Sequence, residues 1–434
     1  MTAEAVTILP HPDPVRNRKA LESIASSTGY LTVWEGAVRS SKTVIALVAF
    51  SLYVRQSKET RFLMSGRTMG TIEQNCILND FGLLNMIPGS EYHQVGKKWG
   101  ITFRVKEKDG TMTPKVIIVQ GASTIKDYMA LRGQSYGGWF ADEINMHDKA
   151  FVEEALKRTA ASRDRRHFFT LNPGSPSEWI YKEYLDRYDA MTETEKEILG
   201  GYHWWHFTLE DNPVMTEQMI AALELQYPKG SVLYRRYILG ERCIAEGLVY
   251  PTFDDSCIAL PPDDVKVKYA SIDFGSVHPT AMGWYGRSPS TRAWYKVREW
   301  VATPEQSLSM TTSDYLDVFE AITAELGGIP RMNLTIDYGG GGEALAREAE
   351  KRRWMPVNPD KSVLDGIAVT GRLLHTHRLY ISPECPKTIE SLRIYRWDEK
   401  ASERGETKPV KQDDDPADET RYAAATFIEP RVRA

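Results

Sequence analysis

Three groups of residues in this chain have the types and spacing to do chemistry. The first lies in the run Leu31–Val48, LTVWEGAVRSSKTVIALV. A β-like apolar stretch enters a loop at Gly36, the loop ends Ser40-Ser41-Lys42-Thr43, and a helix-compatible apolar run follows. Strand, loop and helix in that order make a phosphate-binding P-loop. Backbone N–H groups of such a loop, with the positive end of the following helix, cradle phosphate oxygens. Lys42 is placed to reach the outer phosphates of a nucleotide, and the Thr43 hydroxyl to ligate its Mg2+. The usual pattern has Gly before the Lys; here Ser41 must adopt whatever backbone angles the loop needs, at some cost relative to Gly. An ordinary polar turn between strand and helix is the plain alternative.

The second group follows about 100 residues later. YGGWFADEIN (Tyr136 to Asn145) reads as an apolar strand delivering Asp142 and Glu143 at its carboxyl end, the Walker B layout. Asp142 suits the Mg2+, through water or through Thr43, and Glu143 suits polarisation of the attacking water. HFFTLNPGSP (His167 to Pro176) is the next strand, and its polar Thr170 and Asn172 stand where P-loop motors sense the terminal phosphate. Arg158, Arg163, Arg165 and Arg166 cluster between these strands. One of them, with Arg158 the first choice, is a candidate arginine finger toward a neighbouring subunit; the others suit a solvated or DNA-facing surface. His203 and His206 do not share a face of a strand and read as structural.

The third group is acidic. SIDFGS carries Asp273 near a strand end, NLTIDYGGGG carries Asp337 near another, and DDDPADETRY places Asp415 and Asp418 at the start of a helix. Separated acids on strand ends and a helix start suit an RNase H-like nuclease, in which carboxylates hold two divalent ions, Mg2+ or Mn2+, on a scissile phosphate. Strand-end turn residues and a solvated helix start are the plain alternative. The glycines at 339–342 lack a following Lys-Ser/Thr and read as a close-approach or flexible turn. The charged stretch 398–415 reads as a mobile loop over the site, with Lys408 and Lys411 within reach of phosphate or simply solvated.

The elements that must position these residues form two successive α/β patterns. Strands alternating with helices in the first half imply a mostly parallel sheet covered on both faces, with the ligand at the carboxyl ends of its strands. After a Pro/Asp-rich stretch, a fresh pattern begins with strands alternating as an antiparallel meander. The expected division is a P-loop NTPase domain over 1–245, a linker or hinge over 246–266, and an RNase H-like α/β nuclease domain over 267–434. The 434 residues, 42% hydrophobic and 26% charged, have the composition of a globular protein with room for sizeable cores. No apolar run approaches the ~18 residues of a membrane span, and the N-terminus lacks a basic-then-apolar leader. Four scattered cysteines without a C-x-x-C fit a reducing compartment. At a net charge of −5, contact with nucleic acid must come from local basic patches.

In its order of motifs the chain resembles the large terminase subunit of tailed double-stranded DNA phages. The resemblance spans nearly the whole length: WEGAVRSSKT, LRG before ADE, FTLNPGSPSEW, GERCIAEGLVYPTFD, SIDFGS, LTIDYGG and DDDPADETRY. It implies an ATP-driven motor that moves double-stranded DNA into a procapsid, and a two-metal endonuclease that cuts the concatemer. It matches Lys42 and Thr43 to the Walker A pair, Arg39 to a basic residue within that loop, Asp142 and Glu143 to Walker B, and Asn172 to the coupling segment. It matches Asp273, Asp337 and Asp418 to metal ligands. It further implies a portal protein and a small terminase subunit as partners, a homo-oligomeric ring on the portal from a monomer free in solution, and a place in the host cytoplasm rather than in the mature virion. Two departures stand out: Ser41 replaces Gly, and Asp414-Asp415 stands where many relatives have Asp-His, which leaves Asp415 as a ligand or a spectator. The competing readings are a DNA-dependent, helicase-like ATPase whose second domain only binds DNA, and a non-enzymatic portal-docking remnant.

Overall fold

In a computed structural model, the described residues are 17–124, 126–275, 278–327 and 332–430. The chain separates into two compact units. Unit 1 holds residues up to Ala221 together with Arg235–Ile244, and unit 2 holds Ala222–Tyr234 and the chain from Ala245 onward.

Unit 1 is built on eight strands: β1 (Leu31–Gly36), β2 (Arg61–Gly66), β3 (Glu91–Val95), β4 (Lys98–Lys106), β5 (Met112–Gly121), β6 (Trp139–Ala141), β7 (His167–Leu171) and β8 (Tyr202–Phe207). Their order across the sheet is β3-β4-β5-β2-β6-β7-β1-β8. From β5 to β8 every pairing is parallel; β3 and β4 extend the sheet as antiparallel strands. Alternation along each strand sends neighbours to opposite faces. Trp34, Phe62, Phe140 and Phe168 enter one core, against α2 (Lys42–Gln56), while Val33, Leu63, Trp139 and Phe169 enter the other with Phe151 of α3 (Lys149–Thr159). The helix α1 (Arg18–Ser26) packs on the outer side of α2 through Ala20, Leu21 and Ile24. Helix α2 is apolar nearly all round because it is covered by the sheet and by α1. The expected strand over Tyr136–Asn145 is shorter than its apolar run. Only Trp139–Ala141 pair in it, because Glu143 turns into a left-handed conformation (φ 52°) and ends the ladder.

Unit 2 is built on β9 (Lys266–Asp273), β10 (Ala281–Arg287), β11 (Trp294–Val301), β12 (Asn333–Ile336), β13 (Pro356–Val357) and β14 (Leu379–Ile381). The order is β13-β12-β9-β10-β11-β14. The first three strands form an antiparallel meander, and β12 joins β9 in parallel on its other side. This is the RNase H-like arrangement. Ala270, Ile272, Trp284, Tyr295, Leu334 and Ile336 face a core shared with α4 (Thr312–Glu325) and α5 (Gly342–Lys351). The alternate residues face the opposite side. There Ser271 donates to the Glu419 carbonyl (3.2 Å), Thr335 to Ser271 (2.8 Å), and Tyr285 to the Glu419 carboxylate (3.0 Å). By parity Asp273 and Asp337 fall on that side too. Glu419 belongs to α8 (Asp415–Ala423), which lies across β9 and β10. Two further helices flank α8: α6 (Val363–His375) and α7 (Pro386–Ile394). Stretch 398–415, expected as a loop, carries a short helix (Glu399–Glu403) and a Trp397–Pro409 bridge instead; the Asp398 side chain caps that helix. All four cysteines are buried and unpaired, and no helix among the described residues is long and apolar enough to cross a membrane.

Candidate functional sites

The loop between β1 and α2 is held open by backbone geometry. A Cβ on Gly36 would come 1.8 Å from the Phe207 carbonyl oxygen, so the close pass beside β8 excludes any side chain. Arg39 and Ser41 both take left-handed φ values, 59° and 64°. Ser41 therefore occupies the conformation that favours Gly. Lys42 opens α2, and its buried ammonium donates to the Ala37 carbonyl across the loop (2.9 Å). Burial lowers its pKa to about 8, against the pull of Glu143, Asp142 and Glu35. The Ser40 hydroxyl is buried and has no hydrogen-bond partner among the described residues.

Strand β7 lies between β1 and β6, which sets its polar end between Lys42 and the two acids. Thr43 and Thr170 both donate to one Asp142 carboxylate oxygen, at 3.1 and 2.7 Å. The Glu143 N–H donates to the Thr170 hydroxyl (3.1 Å), and the Asn172 amide donates to the Glu143 carboxylate (3.0 Å). Burial, then the neighbouring Asp142, raise the Glu143 carboxyl; Lys42, Arg67 and Asn172 oppose them. The Asn172 amide oxygen is buried and has no partner among the described residues. A cation and a hydroxyl on α2, two acids just past β6 and an amide just past β7 thus converge. Orphaned polar atoms beside them leave hydrogen-bonding capacity for a phosphate-bearing ligand and its water.

Arg158 sits in the last turn of α3 and bonds Glu154 through two guanidinium nitrogens (2.7 and 2.5 Å). Its carbonyl accepts from Tyr136, ahead of β6, so it lies at the opposite end of the strands from Lys42. His206 bonds the Gly240 carbonyl (2.9 Å). Sequence reasoning missed Glu35. This buried carboxylate, one residue before Gly36, takes Arg242 on both oxygens (2.9 and 2.6 Å), the Trp204 indole N–H (2.8 Å) and the Tyr181 hydroxyl (2.9 Å). A charged residue closing an apolar strand was the available signal.

In unit 2, Asp273 ends β9, and the Asp337 N–H continues the β12 ladder by donating to Ile272 (3.1 Å). Asp415 and Asp418 come from the first turn of α8. Asp273 is pushed up to about 8 by burial and then by Asp418, Asp415 and Asp337 around it. Asp415 rises to about 6 through burial and Asp414. Burial would raise Asp418 as well, but Arg421 and Lys411 outweigh it and hold the carboxyl below its usual range. Burial pulls Asp337 upward too, and Lys361, the Gly339 N–H and Tyr422 overcome it in the same way. The glycine run turns tightly over this acid: a Cβ on Gly342 would stand 1.7 Å from the Asp337 carbonyl oxygen. Asp273 therefore feels the charge of three further carboxylates from two other elements, and oxygen donors of this kind suit hard divalent ions. As placed, no three acids, histidines or cysteines among the described residues form a ready ligand group for one ion. The positive charge near them comes from Arg421 on Asp418, Lys361 on Asp337, and Lys411 on Asp414 and Asp418. Glu299 of β11 accepts the first N–H groups of α7 from Lys387 and Thr388 (2.6 and 2.8 Å).

Residues 139–241 match the family model described as phage terminase large subunit. The fold is similar to that of the large terminase from a thermophilic bacteriophage, with a TM-score of 0.80 at 25% identity over 98% of this chain and 99% of that one. The same phage protein in complex with ATP-gamma-S gives 0.77 at 25% identity over 98% and 99%. Its ADP complex gives 0.80 at 24% over 99% and 100%. No curated protein sequence matches.

Proposed function

We propose that the chain is a phage large terminase subunit, that it couples ATP hydrolysis to translocation of double-stranded DNA into a procapsid, and that it cuts concatemeric DNA. Residues 1–245 are the motor, 267–434 the nuclease, and 246–266 the connection. The observation that carries the motor is the bonded row Thr43–Asp142–Thr170 with Asn172–Glu143 beside Lys42. The ATP-gamma-S complex of the thermophilic phage protein supports the same reading.

In the motor, the loop Gly36–Ser41 cradles the phosphates and Lys42 neutralises the outer ones. Thr43 and Asp142 would hold the Mg2+ of ATP. Glu143, its carboxyl raised by burial, takes the proton of the attacking water while Asn172 keeps it aimed. Thr170 ties β7 to both acids, so a change at the terminal phosphate reaches the coupling segment. Arg39 stands exposed in the loop as a further cation, and Arg158 serves a neighbouring subunit only by leaving Glu154. In the nuclease, Asp273, Asp337 and Asp418, with Asp415 beside them, would hold two Mg2+ or Mn2+. When bound, such ions activate water and stabilise the leaving oxygen. Arg421 and Tyr395 keep Asp418 oriented, and Tyr422 and Gly339 do so for Asp337. The partners follow from the family: the portal protein and the small terminase subunit, with a ring forming on the portal vertex in the host cytoplasm.

The test pairs two variants across two assays. Lys42→Ala is expected to abolish ATP hydrolysis and leave metal-dependent plasmid cutting intact, and Asp273→Ala the reverse. Loss of both activities in either variant contradicts two separable sites, and EDTA-resistant cutting by the wild type contradicts metal catalysis.

A further inference from the structure

The ion pairs around the unit 2 acids fall into two kinds. Arg421 and Asp418 are buried at both ends, with side-chain exposures of 2% and 3%. The Lys411 side chain is 64% exposed, yet its ammonium lies between Asp414 (2.7 Å) and Asp418 (2.6 Å), which are 11% and 3% exposed. Lys361 repeats the pattern, 42% exposed against 14% for the Asp337 it contacts. Arg421 is thus built into the wall, whereas both lysines reach in from solvent, the side from which a nucleic-acid strand must arrive.

The carboxylates have other, fixed donors. Tyr395 (2.7 Å) and Arg421 hold Asp418; Tyr422 (3.0 Å) and the Gly339 N–H (2.7 Å) hold Asp337. Removing either lysine leaves each acid oriented. An ammonium on a four-carbon stem is a mobile point charge, unlike a guanidinium locked in a fork, and an ion pair with one member in water is weak.

Resting on the reading of these acids as divalent-ion ligands, the geometry points to Lys361 and Lys411 as exchangeable counter-ions. They neutralise the acids in the DNA-free protein, yield them to the metal ions, and turn onto the backbone phosphates of the incoming strand. Metal loading and DNA binding are thereby coupled: phosphates draw the lysines away and so favour entry of the ions.

The test is Mn2+ binding to the full chain, followed by EPR without DNA or nucleotide, in wild type, Lys361→Gln and Lys411→Gln. The binding assigned to this site is the part lost in Asp273→Asn. Each Gln variant is expected to bind Mn2+ about fivefold more tightly, the scale of one exposed ion pair, and to show a raised KM for DNA in cutting. A Lys408→Gln control, whose parent lysine pairs with Glu406, is expected to bind Mn2+ as the wild type does. Circular dichroism establishes that the variants are folded. Unchanged or weaker Mn2+ binding in both Gln variants overturns the exchange while leaving the metal reading standing. Absence of any Asp273-dependent Mn2+ binding in wild type and variants overturns the metal reading and the exchange together.

Discussion

Ser41 holds a left-handed φ of 64° immediately before Lys42. For an L-residue other than Gly, that conformation is disfavoured by roughly 1 kcal/mol. Ser41→Gly is therefore expected to raise the unfolding free energy by about 0.5–1 kcal/mol in denaturant titrations, and a loss of stability would show that the Ser side chain contributes something the strain argument omits. Lys42 yields a second residue-scale expectation. Its pKa sits near 8 because burial outweighs the nearby acids. Phosphates arriving beside it favour the charged form. Between pH 8 and 9 the free site is partly deprotonated and the bound site is not, so nucleotide binding takes up a proton. Calorimetry in buffers of different ionisation enthalpy reads that uptake directly, and an enthalpy independent of buffer at pH 8.5 would rule it out. These side chains were legible in the sequence because each acts within a few positions of its own motif. Glu35 was not, since its partner Arg242 lies 207 positions away and a lone charge carries no periodic signal.

Helix α8 is seated by a buried pair: Lys296 of β11 and Glu419, with exposures of 1% and 0%. Gly283 makes room for it, since a Cβ there would stand 2.6 Å from the carboxylate. Removing one partner leaves the other charge unpaired, so Lys296→Met is expected to destabilise unit 2 by about 3–5 kcal/mol, while Lys296→Met with Glu419→Leu recovers most of the loss. Chemical unfolding of both variants checks this; equal losses would mean that packing, not charge, dominates. In unit 1, the turn after β7 carries Glu178, whose carboxylate accepts the Ser175 N–H (3.1 Å). Burial raises its pKa from 4.5 to about 7. A raised acid binds its proton more tightly when folded, so its contribution is fully present below pH 4.5 and is lost as pH rises through 7. Glu178→Gln should flatten that decline, which is on the order of 3 kcal/mol, in stability measurements from pH 4 to 8. Both strand-helix patterns were readable because β1, β7, β9 and β12 end at their motifs. The antiparallel extension β3–β4 escaped notice although Trp99, Ile101, Phe103 and Val105 alternate along β4, because no chemistry there drew attention. The charged stretch 398–415 also misled, because polarity signals exposure and says little about hydrogen-bonded order.

At the scale of the whole molecule, a net charge of −5 confines any grip on DNA to local basic groups on backbone phosphates. Binding should fall with salt at a log–log slope of about −0.9 per phosphate neutralised and be the same for unrelated duplexes. Fluorescence anisotropy across a salt series measures both, and a strong preference for one duplex would require base readout. The order of the two α/β patterns was visible from motif order alone. The interleaving of Ala222–Tyr234 with unit 2 and Arg235–Ile244 with unit 1 was not, because a chain that crosses between units more than once leaves no compositional break.

The burial of all four thiols has a practical side. With Cys76, Cys243, Cys257 and Cys385 at most 2% exposed, the native chain presents a nearly blank background to maleimide dyes. One cysteine introduced on the surface of each unit would therefore carry a donor and acceptor without first stripping the natural ones, and the separation of the two units could be followed, molecule by molecule, as nucleotide is turned over.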